Sequence, residues 1–178
     1  MRRNRFTSRF LLHVSFLVVT LSFAAVTVCG QEENRTGTVG LTTSVQEGLF
    51  DIQVPIWVNE RIVVAPSFGL INISDGFNDL RMGIFVRANL KKGKAVPYAG
   101  IRAGALIFDV YNNKNVESQT DVVAGLAFGG EYFLDDHFSF GVEAQLNVLF
   151  SDEFSLRLSN PDGRNLNTAS VFQATFYF

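Results

Sequence analysis

The sequence predicts an all-β fold, an eight-stranded antiparallel up-and-down transmembrane β-barrel, and three observations carry that prediction. Residues 170–178 (SVFQATFYF) alternate up to the final residue, with Phe172, Ala174, Phe176 and Phe178 on one side and Val171, Gln173, Thr175 and Tyr177 on the other. That is the period of a strand whose two faces meet different surroundings. Seven earlier segments repeat the alternation between turn residues, and the arginines and glutamates within them gather on one face. An apolar aromatic strand at the chain terminus would be a bare edge in an open sheet, which proteins usually blunt with charge or proline. Closing the sheet removes the edge.

Composition narrows the class. The chain has 178 residues, 47% of them hydrophobic and 18% charged, with 18 Phe and 15 Gly. This is too apolar for disorder and too rich in glycine for a helical domain. Arg2, Arg3, Arg5 and Arg9 are the only charges in the first 30 residues, so residues 31–178 hold 11 basic groups against all 17 acidic ones, a balance of −6. An acidic chain without a basic stripe excludes nucleic acid as a partner. The single cysteine, Cys29, excludes an internal disulfide and a cysteine-based metal site.

Residues 1–30 read as a cleaved export signal: a basic start, an apolar run over residues 10–28, and small residues before a cleavage point between Gly30 and Gln31. His13, Ser15, Thr20 and Ser22 make the run a poor permanent anchor. Acylation at Cys29 is the alternative, and Val28 is larger than a lipoprotein signal wants before the cysteine. Residues 31–178 are then one barrel domain. Asn34-Arg35-Thr36 and Asn72-Ile73-Ser74 match a glycosylation pattern by chance.

Each strand follows from alternation bounded by turn residues. The first, residues 36–45, shows Val39, Leu41 and Val45 on its apolar face. The second, 50–58, shows Phe50, Ile52, Val54, Ile56 and Val58 against Asp51, Gln53 and Trp57. Trp57 thus falls on the polar face, which a register error near Pro55 would explain. The third, 62–73, carries Ile62, Val64, Phe68 and Leu70 outward. Its Pro66, like Pro55, predicts a bulge or a locally weak pairing because proline donates nothing to the ladder. The fourth, 80–90, alternates Leu80, Met82, Ile84, Val86, Ala88 and Leu90 with Arg81, Gly83, Phe85, Arg87 and Asn89. The fifth, 96–111, sets Ala99, Ile101, Ala103, Ala105 and Ile107 against Tyr98, Gly100, Arg102 and Gly104. The sixth, 122–132, opposes Val122, Leu126, Phe128 and Tyr132 to Gly125, Gly129 and Glu131, and the seventh, 138–149, opposes Phe138, Phe140, Val142, Leu146 and Val148 to Gly141, Glu143 and Gln145. The eighth is 170–178. Turns at 59–61, 91–94 and 134–137 are tight, whereas the connections at 74–79, 112–119 and 150–169 are longer, the asymmetry expected of the two ends of an outer-membrane barrel, although the first outer loop, near Gln46, is short.

The terminal run Phe172, Ala174, Phe176, Phe178 resembles the closing strand of the small eight-stranded outer-membrane β-barrels, the OmpA/OmpX-like porin family. The resemblance implies that this strand is the signal read by the outer-membrane barrel assembly machinery, that the barrel is a monomer in lipid and lipopolysaccharide of the bacterial outer membrane, and that arginine and glutamate form networks in its lumen. It also implies roles such as adhesion, envelope integrity or resistance, exercised on an unknown extracellular ligand.

The apolar residues just named include no ionisable group except Tyr132, while Arg81, Arg87, Arg102, Glu131 and Glu143 share the opposite face amid glycines. A soluble barrel would need a dense charged coat outside. In lipid, one arginine at mid-depth on the outer face would cost about 2–4 kcal/mol, so these five belong inside, paired as a network filling a narrow lumen. Tyr132, Phe138, Phe176 and Phe178 sit where an aromatic girdle is expected. For catalysis the chain beyond residue 30 offers one histidine, His137, in a turn between acids, which reads as a solvated turn residue. Some barrels of this size modify lipid A with a Ser/His pair near the outer leaflet, and His137 lies at the opposite end. No metal or cofactor motif appears. Asp135, Asp136, Asp152 and Glu153 read as solvated loop charges, with a calcium-mediated lipopolysaccharide contact by the last two as the alternative. The resulting reading is a non-enzymatic outer-membrane barrel acting through its loops. A narrow porin and a soluble secreted ligand-binding barrel are the alternatives.

Overall fold

The computed structural model describes residues 35–46, 49–74, 76–110, 118–155 and 157–178. The expected signal, with Cys29 and the Gly30–Gln31 junction, lies outside them. The strands are β1 (Gly40–Gln46), β2 (Leu49–Gln53), β3 (Ile56–Trp57), β4 (Ile62–Asn72), β5 (Phe77–Asn89), β6 (Ala95–Val110), β7 (Gln119–Phe133), β8 (Phe138–Phe150) and β9 (Arg164–Tyr177). They form one sheet in the order β2-β1-β9-β8-β7-β6-β5-β4-β3, antiparallel throughout, and β2 pairs with β4 as well, which closes the barrel. Because β2 and β3 are two pieces of one wall strand, the barrel has eight walls.

The two prolines explain that interruption. Thr42 pairs with Gln53 and Val39 with Ile56, three residues against three, and Gln53–Ser67 and Ile56–Val64 keep step on the other side. No residue is inserted, so there is no bulge. Gly40 N donates to Pro55 O at 2.9 Å and Val54 N to Pro66 O at 2.9 Å, and in each pair the return donor is the nitrogen that proline lacks. The second wall strand therefore loses one ladder bond on each flank.

The faces divide as the alternation requires. Phe140, Leu146 and Phe176 stand 50, 41 and 48% exposed on the outer wall, while Glu131 and Glu143 are 2 and 5% exposed within. Among the described strand residues, only Asp109 and Arg164 bring a formal charge to the outer face, both at one rim. The opposite rim, the turn end, carries the tight turns and both described chain ends; the rim with Asp109 and Arg164 is the loop end. At the turn end β1 starts at Gly40 rather than residue 36, since Gly37 takes φ +83° and Thr38 N closes a turn on Arg35 O. At the loop end the fourth wall strand starts at Phe77, not residue 80, and the last at Arg164, not residue 170. The expected loop over 150–169 shrinks to 151–163, with a single 3-10 turn at Arg157–Ser159.

Candidate functional site: the lumen

The lumen is filled in layers. At the turn end, Trp57, Val63, Val96, Phe133 and Tyr177 form an apolar plug. Trp57 lies 6.5 Å from the Phe133 ring and 6.4 Å from the Tyr177 ring, and the Arg35 guanidinium caps Phe133 at 3.9 Å. Trp57 is therefore correctly inward. The supposed register error is absent; the residue closes the barrel at the end where the strand pieces separate.

Above the plug is a buried ionic knot. Arg87 pairs with Glu131, with both side chains almost fully enclosed. Tyr177 OH and Ser139 Oγ donate to Glu131 Oε1 at 2.8 and 2.5 Å, and the Arg87 guanidinium lies over the Tyr98 ring at 4.6 Å. The carboxylate thus has three donors from three elements, the satisfaction that a buried charge requires.

Tyr98 leads to the next layer. Its hydroxyl donates to Glu143 Oε2 at 2.9 Å and accepts from Gln173 Nε2 at 3.1 Å. The register places Tyr98 opposite Gly129 and Gly129 opposite Glu143, so the ring crosses the bare backbone between them. A Cβ on Gly129 would meet the Tyr98 hydroxyl at 2.6 Å. Gln145 Nε2 donates to Glu143 Oε1 at 2.6 Å, and Arg102 donates to Gln145 Oε1, so the link from Arg102 to Glu143 runs through a neutral amide.

Arg81 stands apart from that chain and meets Asp51 at 2.9 Å, a charge contact rather than an aligned hydrogen bond. It passes over Gly69, where any Cβ would collide with both partners. This pair bridges β5 to β2 across the seam above Phe68, where β2 and β4 have stopped pairing. The five charges expected to form one network are thus divided. Arg87–Glu131 is a direct pair, Arg102 and Glu143 are relayed, and Arg81 takes Asp51, which sequence reading placed on this face without assigning it a role.

A cavity of about 340 Å³ occupies the loop-end half, lined by Asp51, Ser67, Arg81, Arg102, Asn147 and Arg157 among others. Its roof is the 151–163 loop. Arg157 contacts Asp79 at 2.5 Å and Asp121 at 3.3 Å and lies 5.6 Å from the Phe108 ring centre, while Ser155 Oγ donates to Asp121 at 2.9 Å. Asp152 is not a free solvated charge: its carboxylate accepts from Thr120 N at 3.3 Å and Phe154 N at 3.0 Å, and its backbone N donates to Asp121 at 2.8 Å. Among the described residues no cluster of three metal-ligating side chains exists. Sequence reasoning missed Arg157, Asp79 and Asp121; the inward parity of Asp79 and Asp121 was the available signal.

At the turn end, Asp135 accepts from His137 N and Phe138 N at 2.8 and 2.7 Å, and these bonds hold its carboxyl below the ordinary range. His137 is exposed but engaged: its Nδ1 lies 2.9 Å from Tyr177 O and its ring stacks on Phe176. The terminal strand closes on β1 from Gly40–Tyr177 to Gln46–Val171, with Phe172, Ala174, Phe176 and Phe178 along its outer side, and Phe178 N donates to Val39 O at 2.9 Å.

No protein-family model matches the chain, and no curated protein sequence matches it. Among solved structures it is similar to the N-terminal β-barrel domain of Pseudomonas aeruginosa OprF, with TM-score 0.52 and 13% identity over 82% of this chain and 100% of that one. It is also similar to the Neisserial surface protein A, NspA, with TM-score 0.52 and 12% identity over 79% and 94%. At these identities the likeness is one of fold: an all-β, closed, eight-stranded antiparallel barrel of the kind that crosses membranes.

Proposed function

We propose that this chain is an integral protein of the bacterial outer membrane with a structural or interaction role at its loop end and no catalytic step. The observation that carries the reading is the partition of the two faces: large apolar side chains cover the outside, and the charged and polar ones are enclosed. Hydrocarbon is the surrounding in which that arrangement is the stable one. Against the porin reading stand two successive barriers, the aromatic plug and the Arg87–Glu131 knot, in a barrel barely wide enough for its own side chains. In favour of an interaction role, Phe154 and Leu158 on the 151–163 loop are 46 and 59% exposed, while several of the polar groups around them are used internally. Exposed apolar groups on an ordered loop fit a protein or lipid partner such as an adhesion target or lipopolysaccharide.

The test is electrophoresis of the membrane fraction before and after boiling, joined to planar-bilayer recording. The reading expects a detergent-resistant band whose mobility changes on boiling, and no steady conductance. Identical mobility in both lanes would remove the membrane reading, and a steady ion current would replace the interaction role with a porin.

A further inference from the structure

Nine glycines lie within the described strands, and eight of them face the lumen, where side chains or neighbouring backbone crowd the space a Cβ would take. The ninth, Gly130 on β7, faces outward, and a Cβ built there would meet nothing within 4 Å. No crowding from within the protein calls for glycine at this position. Its cross-strand neighbours are Pro97 and Val142, and the adjacent row toward the turn end pairs Tyr132 with Phe140. The missing side chain leaves a groove of about 390 Å³ in the outer wall, bordered by Pro97, Tyr132, Phe140 and Val142, with Lys91 at its edge. Lys91 belongs to the turn Lys91-Lys92-Gly93-Lys94, whose three lysines make this stretch of the turn-end rim cationic.

We propose that this groove is a binding site for one membrane phospholipid, with an acyl chain laid over Gly130 and the headgroup phosphate against Lys91. The inference rests on the membrane reading above. Charge complementarity selects the occupant: the walls are mostly apolar, and the cation of Lys91 lies at the turn-end edge of the groove on the side of the girdle aromatic Tyr132, toward the depth at which phosphates lie.

The experiment uses the barrel reconstituted in bilayers of phosphatidylethanolamine and phosphatidylglycerol, extracted into mild detergent and weighed by native mass spectrometry. The wild type is expected to retain one phospholipid per barrel. Gly130→Leu puts a branched side chain into the groove at a position where a Cβ has open space and is expected to abolish retention, and Lys91→Gln is expected to lower it about fivefold, the effect of one basic residue at a membrane surface. Equal retention in the wild type and Gly130→Leu, or none in the wild type, overturns the site. Boiling-dependent mobility of the same samples separates the two failures. If the shift is absent the membrane reading has failed, and if it is present while retention is equal only the groove has.

Discussion

The two halves of the lumen solve the same problem differently. In the turn-end half, aromatic rings and the Arg87–Glu131 pair exclude water, with every oxygen of Glu131 engaged. In the loop-end half, Arg81–Asp51 is partly wet, Arg102 answers to an amide, and a cavity of about 340 Å³ remains under a folded loop. Burial makes ionic groups costly to separate, whereas hydration makes them replaceable. Stability should therefore reside at the turn end, and adaptability at the loop end.

The largest test of that contrast is Glu131→Ala, which leaves Arg87 enclosed without a counter-charge. We expect it to lower stability by about 3–5 kcal/mol, read by denaturant unfolding in lipid vesicles. Trp57→Ala is expected to cost about 3 kcal/mol through the cavity left in the plug. It should not by itself produce conductance, because the ionic knot still blocks the path. Asp51→Asn, at a pair with side chains 10 and 22% exposed, is expected to cost only about 1 kcal/mol. If it cost as much as Glu131→Ala, the distinction between the halves would be wrong. Arg157→Ala takes the cation from Asp79 and Asp121 and is expected to unroof the cavity, the entering water resolvating both carboxylates and keeping the stability loss below that of Glu131→Ala. An Asn147→Cys reporter should then react faster with a membrane-impermeant thiol reagent added at the loop side.

The smallest effect concerns pH. The folded carboxyl of Asp135 is held below its ordinary value of 3.8 by two backbone donors. Its contribution is present above that value and is lost as pH falls through the lowered one. Asp135→Asn should flatten the acid limb of the unfolding curve and lower stability slightly at neutral pH, where the carboxylate's contribution is fully present.

Much of this was legible in the sequence where the two faces meet different media. A period of two places Glu131, Glu143 and Arg102 inside and Phe140 and Phe176 outside, and it placed Trp57 inside even when no reason was apparent. Pairing was not legible, because partners such as Tyr98 and Glu143 depend on register across Gly129, and alternation within one strand carries no information on register. The start of β9 was missed for a related reason: Asn165, Asn167, Thr168 and Ser170 lie at the loop end, where both faces are polar and the alternation fades. Arg157 sits in a loop without periodicity, so nothing in the chain announced that it folds back over the mouth.

The inside-out arrangement can be measured with the protein's single tryptophan. Trp57 fluorescence in vesicles of lipids brominated along the acyl chains would be compared with that of Phe140→Trp in a Trp57→Phe background. The account predicts strong quenching at position 140 and weak quenching of Trp57, with neither reached by aqueous iodide. Strong iodide quenching at position 140, with no effect of brominated chains there, would contradict it.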